Sequence, residues 1–305
     1  MTLQQLRYLI AIAECGSISA AAHQLYVAQS SLSVAVKELE AEAGVTVFQR
    51  SNRGITLTTD GVELLGYARQ VVEQADLMER RYSQEHQHLP QRLALSTQHY
   101  AFCVQAFIDF VDENRGEAYD FILRETRTGE IIQDVQTFRS DLGVLYLSSF
   151  NERVITKALE DAGLSFHTLF KARPHIFVSE HHPLAGRDII RVEDLADYPR
   201  YSFEQGSDNS FYYSEEPLSS LPHSKKIAIS DRGTLSNLLA NHDGYTVSTG
   251  ILSKEMHTGI ASVPLDTDEI MRVGYILHSQ RTPSALANRY LEKLKEAVAD
   301  YRNLI

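Results

Sequence analysis

Cysteine is scarce: this chain of 305 residues holds only Cys15 and Cys103. Two thiols cannot make a disulfide framework, and neither sits in a CxxC or Cys/His metal spacing. Both are expected as small buried hydrophobes. Long apolar runs are also missing, since none approaches the roughly 20 residues of a membrane span. Met1 is followed by TLQQLRY rather than by a basic and then apolar leader. The expectation is a soluble cytoplasmic protein with no membrane partner. Positive charge is thin as well, because the net charge of −11 argues against a nonspecific polyanion binder. No GxSxG, HExxH, P-loop or GxGxxG occurs in a setting that would support catalysis, and Asp141 and Asp231 have no paired base. An enzyme is therefore not expected, and neither is a cofactor.

What is present is 43% hydrophobic residues, enough for a sizeable core, and a length that suits two or three domains. Residues 1–58 balance four basic residues (Arg7, Lys37, Arg50, Arg53) against four acidic ones (Glu14, Glu38, Glu40, Glu42). The acidic excess lies beyond them. If the front segment meets nucleic acid, it does so with a few placed cations.

Leu3, Leu6, Leu9, Ile10 and Ala13 mark one face of a first helix, with Thr2 as N-cap and Gly16 past its end. Ser19 opens a short helix through AAAHQL, and only Tyr26, Val27 and Ala28 separate it from the stretch QSSLSVAVKELE. Two helices joined so tightly form a helix-turn-helix. In the second, Leu32, Val36 and Leu39 pack inward, while Gln29, Ser30, Ser33 and Lys37 face the other way. VTVFQR, SNRG and ITLT then read as strand, turn and strand, a wing with two arginines at its tip. From Thr59 a helix runs to about His88. Leu64, Ala68, Val71, Ala75, Met78 and Tyr82 step along it at the spacing of a packing seam. At about 1.5 Å per residue it spans roughly 40 Å, too long for a small domain to bury both sides. It is expected to pair with a second copy; the alternative is that it lies on its own C-terminal domain. Pro90 marks the boundary.

The remainder alternates strand and helix: RLALS then TQHYAFCVQAFIDFVDEN, YDFILRET then GEIIQDVQTF, DLGVLYLS then NERVITKALEDAG. Farther on come KIAIS before TLSNLLAN, YTVST before GILSKEM, and IMRVGYILHS before the terminal helix. Repeated βα units predict open, largely parallel sheets in two lobes. The expected domains are 1–58 (winged helix-turn-helix), 59–88 (linker helix) and 91–305 (sensor). Within the sensor, lobe I is about 91–163 and 268–305, and lobe II is about 164–267.

The alanine triplet, the Q-x-x-L-S helix, the LE-x-x-x-G-V-x-x-F-x-R passage and the LT-x-x-G start of the linker resemble the LysR-type transcriptional regulators. SEHHPLAG and the terminal layout extend the resemblance over the whole chain. It implies an α/β protein with an N-terminal winged helix-turn-helix, a dimerising linker helix and a two-lobed sensor similar to periplasmic binding proteins, usually in a tetramer. It also implies double-stranded promoter DNA as partner, with RNA polymerase as a further candidate. By the family's pattern Gln29, Ser30, Ser31, Ser33, Val34 and Lys37 face DNA, with Arg50 and Arg53 on the wing. The chain has Ser30 where the family often has proline. Val34 and Ala35 replace longer polar residues, so Val34 could touch a thymine methyl.

In parallel sheets ligands collect at the carboxyl ends of strands. Four clusters qualify: Ser96, Thr97, Gln98, His99 and Tyr100; Thr126 and Thr128; Tyr201, Ser202 and Phe203; Ser248 and Thr249. The LysR-type sensors usually hold their inducer at these places. Hydroxyl and amide donors suit a small anionic or zwitterionic metabolite, although serine and threonine at helix starts are also plain N-caps. QHYAF, FEQGSDNSFYYSEE and SDRGTL resemble the branch controlling cysteine and methionine metabolism, whose inducers are precursors such as O-acetylserine. Another small carboxylate is the alternative ligand, and a transport-type solute-binding protein the alternative class. The paired His181 and His182, and likewise His86 and His88, are read as solvated turns and not metal ligands. Tyr212 and Tyr213 either pack the second lobe or line the cleft.

Overall fold

The structure is a computed structural model that describes residues 1–51, 54–82, 90–116, 118–206, 210–253 and 257–299. The chain divides into two compact units, Met1–Leu89 and Pro90–Ile305.

In the first unit, α1 (Leu3–Cys15) begins with a capping box between Thr2 and Gln5 and ends at Gly16 in the left-handed region. Ser17 caps α2 (Ile18–Gln24). The turn into α3 (Gln29–Ala43) places Tyr26 at φ 53°. Two apolar clusters weld the three helices together, one built on Leu6, Leu9 and Leu39 and the other on Ile12, Ala21, Leu32 and Val36. A hairpin follows, β1 (Phe48–Ser51) against β2 (Gly54–Leu57), with Phe48 opposite Leu57. Glu40 holds it to α3 by accepting from the N–H groups of Val47 (2.7 Å) and Phe48 (3.2 Å). The helix α4 (Thr59–Tyr82) then starts at Thr58, whose hydroxyl accepts from Gly61 N–H at 2.9 Å. Gly61 is dictated by contact, since a Cβ there would lie 2.2 Å from the carbonyl oxygen of Val47.

The expected seam on α4 divides in two. Ala68 and Ala75 are buried, and Ala68 with the half-buried Leu64 packs against Leu6 and Leu9 of the same unit. Val71 and Met78 are exposed, as is Tyr67 on their face. The side chain of Tyr82 lies outside the described residues.

The second unit contains two sheets. The first has the order β4–β3–β5–β13–β6, from β3 (Gln91–Thr97), β4 (Tyr119–Glu125), β5 (Leu142–Leu147), β6 (Leu164–Ala172) and β13 (Met271–His278). β3, β4 and β5 run parallel, and β13 runs antiparallel to β5 and β6. Helices α5 (Ala101–Glu113) and α9 (Ala285–Ala297) cover one face; α6 (Thr128–Gln136) and α7 (Glu152–Asp161) cover the other. β5 is buried throughout, with Val144 and Tyr146 in one core and Leu145 and Leu147 in the other.

The second sheet has the order β11–β7–β12–β8, from β7 (His175–Ser179), β8 (Ile190–Arg191), β11 (Thr246–Ser248) and β12 (Ile260–Asp266). Beside it β9 (Arg200–Phe203) pairs in parallel with β10 (Lys226–Ile229), and α8 (Arg232–Asn241) packs on Phe177 and Tyr201.

Three expectations change here. The second sheet is not largely parallel, because β7 is antiparallel to both β11 and β12. The chain leaves the first sheet after Ala172 and not near Gly163, because β6 pairs with β13 along its whole length. No helix follows β11 over Gly250–Ser253; the rest of GILSKEM lies outside the described residues.

Candidate functional site

The outer face of α3 is built by exclusion. Leu32, Val36 and Leu39 are buried, which leaves Gln29, Ser30, Ser31, Val34 and Lys37 exposed and Ser33 half-buried. Its N-cap, Ala28, makes no side-chain cap, and its first turn carries no acidic residue. The amide N–H groups at that end thus face outward uncapped, a suitable end for a phosphate. Tyr26 stands 94% exposed in the preceding turn. Sequence reasoning missed it; an aromatic residue inside a three-residue turn was the available signal. Arg7 is spent within the unit, donating to Asp76 at 2.6 Å. On the wing, the side chain of Arg50 and the whole of Arg53 lie outside the described residues.

In the second unit the strand ends of the two sheets meet. His99 follows β3 and stacks on Phe203 of β9, ring centroids 3.7 Å apart. Glu215 Oε2 accepts from the His99 backbone N–H at 3.0 Å and lies 2.9 Å from His99 Nδ1. Gln205 Oε1 accepts from Thr128 N–H at 3.2 Å, at the start of α6. Arg127 pairs with Glu204, and Arg232 with Glu125.

Behind the stack lies a small open-mouthed cavity, with about 40 Å³ of room for the centres of water-sized molecules. Its lining includes His99, Tyr100, Phe203, Glu215, Glu216, Arg232, Ser248 and His257. Burial, together with the neighbouring Glu215, pushes the Glu216 carboxyl up to about 7. Burial lowers Arg232 to about 10, which leaves it charged at neutral pH. Burial also lowers His257, with the Arg232 charge adding to it.

Of the residues expected at an effector site, His99, Tyr100, Phe203 and Ser248 line this cavity. Ser96 belongs elsewhere: its hydroxyl donates to Asp134 at 2.6 Å and lies 2.8 Å from Ser140 in a buried network. Gln98 is a strut. Its amide donates to Thr128 Oγ1 at 2.7 Å, and its carbonyl oxygen accepts from Tyr100 O–H and Tyr146 N–H. Thr126 bonds Glu130 in the first turn of α6. Tyr201 is fully buried, with its hydroxyl 2.6 Å from His242 Nδ1. Thr249 is buried and accepts from Ile251 N–H. Thr97 Oγ1 and Ser202 Oγ are buried with no hydrogen-bond partner among the described residues. Glu215, Glu216, Arg232 and His257 were missed, because ionisable residues in loops and at helix starts give no periodic signal.

Other singled-out residues have structural partners. Asp231 caps α8, accepting from Thr234 N–H at 2.8 Å. Asp141 accepts from Ala94 N–H at 3.0 Å. His182 is buried and accepts from Leu184 N–H, while His181 is exposed. His86 and His88 lie outside the described residues. Tyr212 stacks on Phe150, and Tyr213 packs against the core of the first sheet.

Comparison with known proteins agrees with this architecture. A family profile described as the bacterial regulatory helix-turn-helix protein of the lysR family matches residues 3–62. A second, the LysR substrate binding domain, matches residues 113–299, more than half the chain. The chain is 24% identical over 317 residues to the DNA-binding transcriptional dual regulator OxyR of Escherichia coli, covering 98% of this chain and 95% of that protein. It is 44% identical over 75 residues to the regulator TcbR of a Pseudomonas species, covering 25% of this chain and 26% of that protein. A mutant of Corynebacterium glutamicum OxyR shares the fold, with a TM-score of 0.53 at 21% identity and coverage of 99% and 95% of the two chains. The chain belongs to the LysR family of bacterial transcriptional regulators, which bind DNA, carry a substrate-binding domain and are not enzymes.

Proposed function

We propose that this regulator reads promoter DNA with the N-terminal end of α3, and that a small anionic or zwitterionic metabolite bound behind the His99–Phe203 stack sets how its copies sit on that DNA. One observation carries the ligand half of this reading. The segments QHYAF, FEQGSDNSFYYSEE and SDRGTL resemble the sulfur amino acid branch, and they are far apart in the chain. They converge on one cavity, supplying His99 and Tyr100, then Phe203, Glu215 and Glu216, then Arg232 and Leu235. The metabolite class follows from that resemblance: an amino-acid-like precursor such as O-acetylserine, with control of cysteine or methionine metabolism as the output.

The DNA half rests on the exposed, uncapped nose of α3. Short side chains at Ser30, Ser31 and Ser33 allow close approach to base edges; Gln29 suits adenine and Lys37 suits guanine or phosphate. Arg50 and Arg53 are assigned to the backbone or minor groove. So few cations per head require two or four heads acting together, joined through α4 as a dimer or tetramer. Ligand shifts the population of sensor conformations, which changes head spacing and DNA bending at the promoter. The site of action is the cytoplasm, and RNA polymerase is the further partner.

Several relatives are named as hydrogen-peroxide-inducible activators. Thiol chemistry does not favour that role here. Cys103 is fully buried and burial pushes its thiol up, the opposite of a reactive thiolate; Cys15 lies in the DNA-binding unit and donates to Gln24 Oε1.

Footprinting on the chain's own upstream intergenic DNA tests the mechanism. Protection that lengthens, shortens or gains hypersensitive bends when O-acetyl-L-serine is added is expected. Identical footprints with and without the metabolite that raises transcription would overturn it.

A further inference from the structure

The amino-acid-like class above rests on a resemblance, and the cavity wall offers a physical reason for its amine. Glu215 and Glu216 are adjacent, and the side chain of Glu215 is 5% exposed. Every other acceptor of the pair has a donor. Glu215 Oε2 takes the His99 N–H, Glu216 Oε1 takes Phe203 N–H at 2.8 Å, and Glu216 Oε2 takes the Ser214 hydroxyl at 2.9 Å. Glu215 Oε1 is buried with no hydrogen-bond partner among the described residues.

A buried carboxylate oxygen without a donor costs free energy unless something supplies one. A simple carboxylate ligand cannot, because it brings a second negative charge beside Glu215. It would also have to displace Glu215 from the His99 N–H, the backbone donor where an incoming anion would otherwise seat. An ammonium group supplies three donors and a positive charge.

We infer that Glu215 is the specificity-determining residue of this site, and that its Oε1 accepts a hydrogen bond from a primary ammonium group, so that the effector must carry an amine. The inference rests on the proposed effector cavity and narrows its ligand class. Arg232, in the same wall, already pairs with Glu125, so a ligand carboxylate there would share it with that acid.

The test uses the full chain and two sets of probes in thermal-shift and calorimetric titrations. One set is L-methionine, its deaminated analogue 4-(methylthio)butanoate and its decarboxylated analogue 3-(methylthio)propylamine. The other is O-acetyl-L-serine with the corresponding pair. Binding by at least one amine-bearing probe, none by the deaminated acids, and about a tenfold or greater loss in Glu215→Gln are expected. Should Glu215→Gln not fold, Glu215→Asp, which withdraws the charge by one methylene, gives the same comparison. Deaminated acids binding as well as their amines, or an unchanged affinity in Glu215→Gln, would overturn the inference. If Phe203→Ala abolishes that binding, the cavity itself still stands as the effector site. Binding that survives both Glu215→Gln and Phe203→Ala, or no binding by any probe at millimolar concentration, would overturn the cavity reading and this inference with it.

Discussion

His99 and Phe203 lie face to face, ring centroids 3.7 Å apart and planes 6° from parallel. One ring follows β3 of the first sheet and the other ends β9 beside the second, so a single stack spans the gap between two separately built cores. Glu215 ties the same histidine by its backbone and ring. Stack and carboxylate together make one wall of the cavity, and a change in either is felt at the junction of the two sheets.

Replacing Phe203 with leucine keeps an apolar side chain and removes the ring. An aromatic pair is worth about 1 kcal/mol beyond its buried area. For a unit of this size that lowers the melting temperature by about 2–4 °C. Differential scanning calorimetry of Phe203→Leu checks it; an unchanged transition would mean the stack does not hold the sheets together.

Glu216 makes stability depend on pH in an unusual direction for a carboxylate. Its carboxyl titrates near 4.5 when unfolded and near 7 when folded. The native state therefore binds more protons between those values, and its stability is highest below the lower one. It falls as pH rises through about 7, by an amount on the order of 3 kcal/mol. Glu216→Gln, which cannot ionise, is expected to flatten urea-denaturation stability between pH 5 and 8. A stability difference between wild type and Glu216→Gln that stays constant over that window would refute the assignment, because buried histidines such as His257 contribute the opposite slope.

Much of this arrangement was legible in the sequence, for definite reasons. The spacing of Leu32, Val36 and Leu39 fixes which side of α3 is buried, and so which side carries Gln29, Ser30 and Lys37. The βα alternation around β3, β4 and β5 follows from apolar runs set against amphipathic helices. β6, β7 and β12 escaped notice because they join or neighbour antiparallel partners without an intervening helix. Of the hydroxyl clusters, Tyr100 and Ser248 line the cavity. Strand ends do form the cavity, yet Ser96, Gln98 and Thr128 hydrogen-bond to other side chains of the fold. The acids that define the cavity lie in a loop with no periodicity, and only their burial distinguishes Glu215 and Glu216 from ordinary surface glutamates.

Lys37 is exposed on the same face as Gln29 and Ser33. If it contacts a phosphate, Lys37→Ala removes about one released counterion per head. The slope of log K against log salt should then fall by about 0.9 per head. Fluorescence anisotropy titrations on operator and on unrelated DNA across salt concentrations measure this. A parallel loss on both DNAs identifies a phosphate contact; a loss confined to operator identifies a base contact; no loss on either removes Lys37 from the interface.

The last prediction concerns α4. Its inward residues Leu64, Ala68 and Ala75 are covered or partly covered within their own unit, so they cannot also form the seam between two copies. Tyr67, Val71 and Met78, separated by four and seven residues, lie on one helical face and are exposed by 60%, 48% and 59%. An exposed apolar stripe of that kind on a long helix is the surface a second copy would cover. Charged groups there would be buried without partners, so Val71→Asp combined with Met78→Asp should shift the chain to monomer and abolish tight operator binding. Glu73→Ala, on another face of α4, should leave the assembly intact. Sedimentation velocity over a range of concentrations decides between them, and a double variant that sediments like the wild type would show that the copies associate through some other surface.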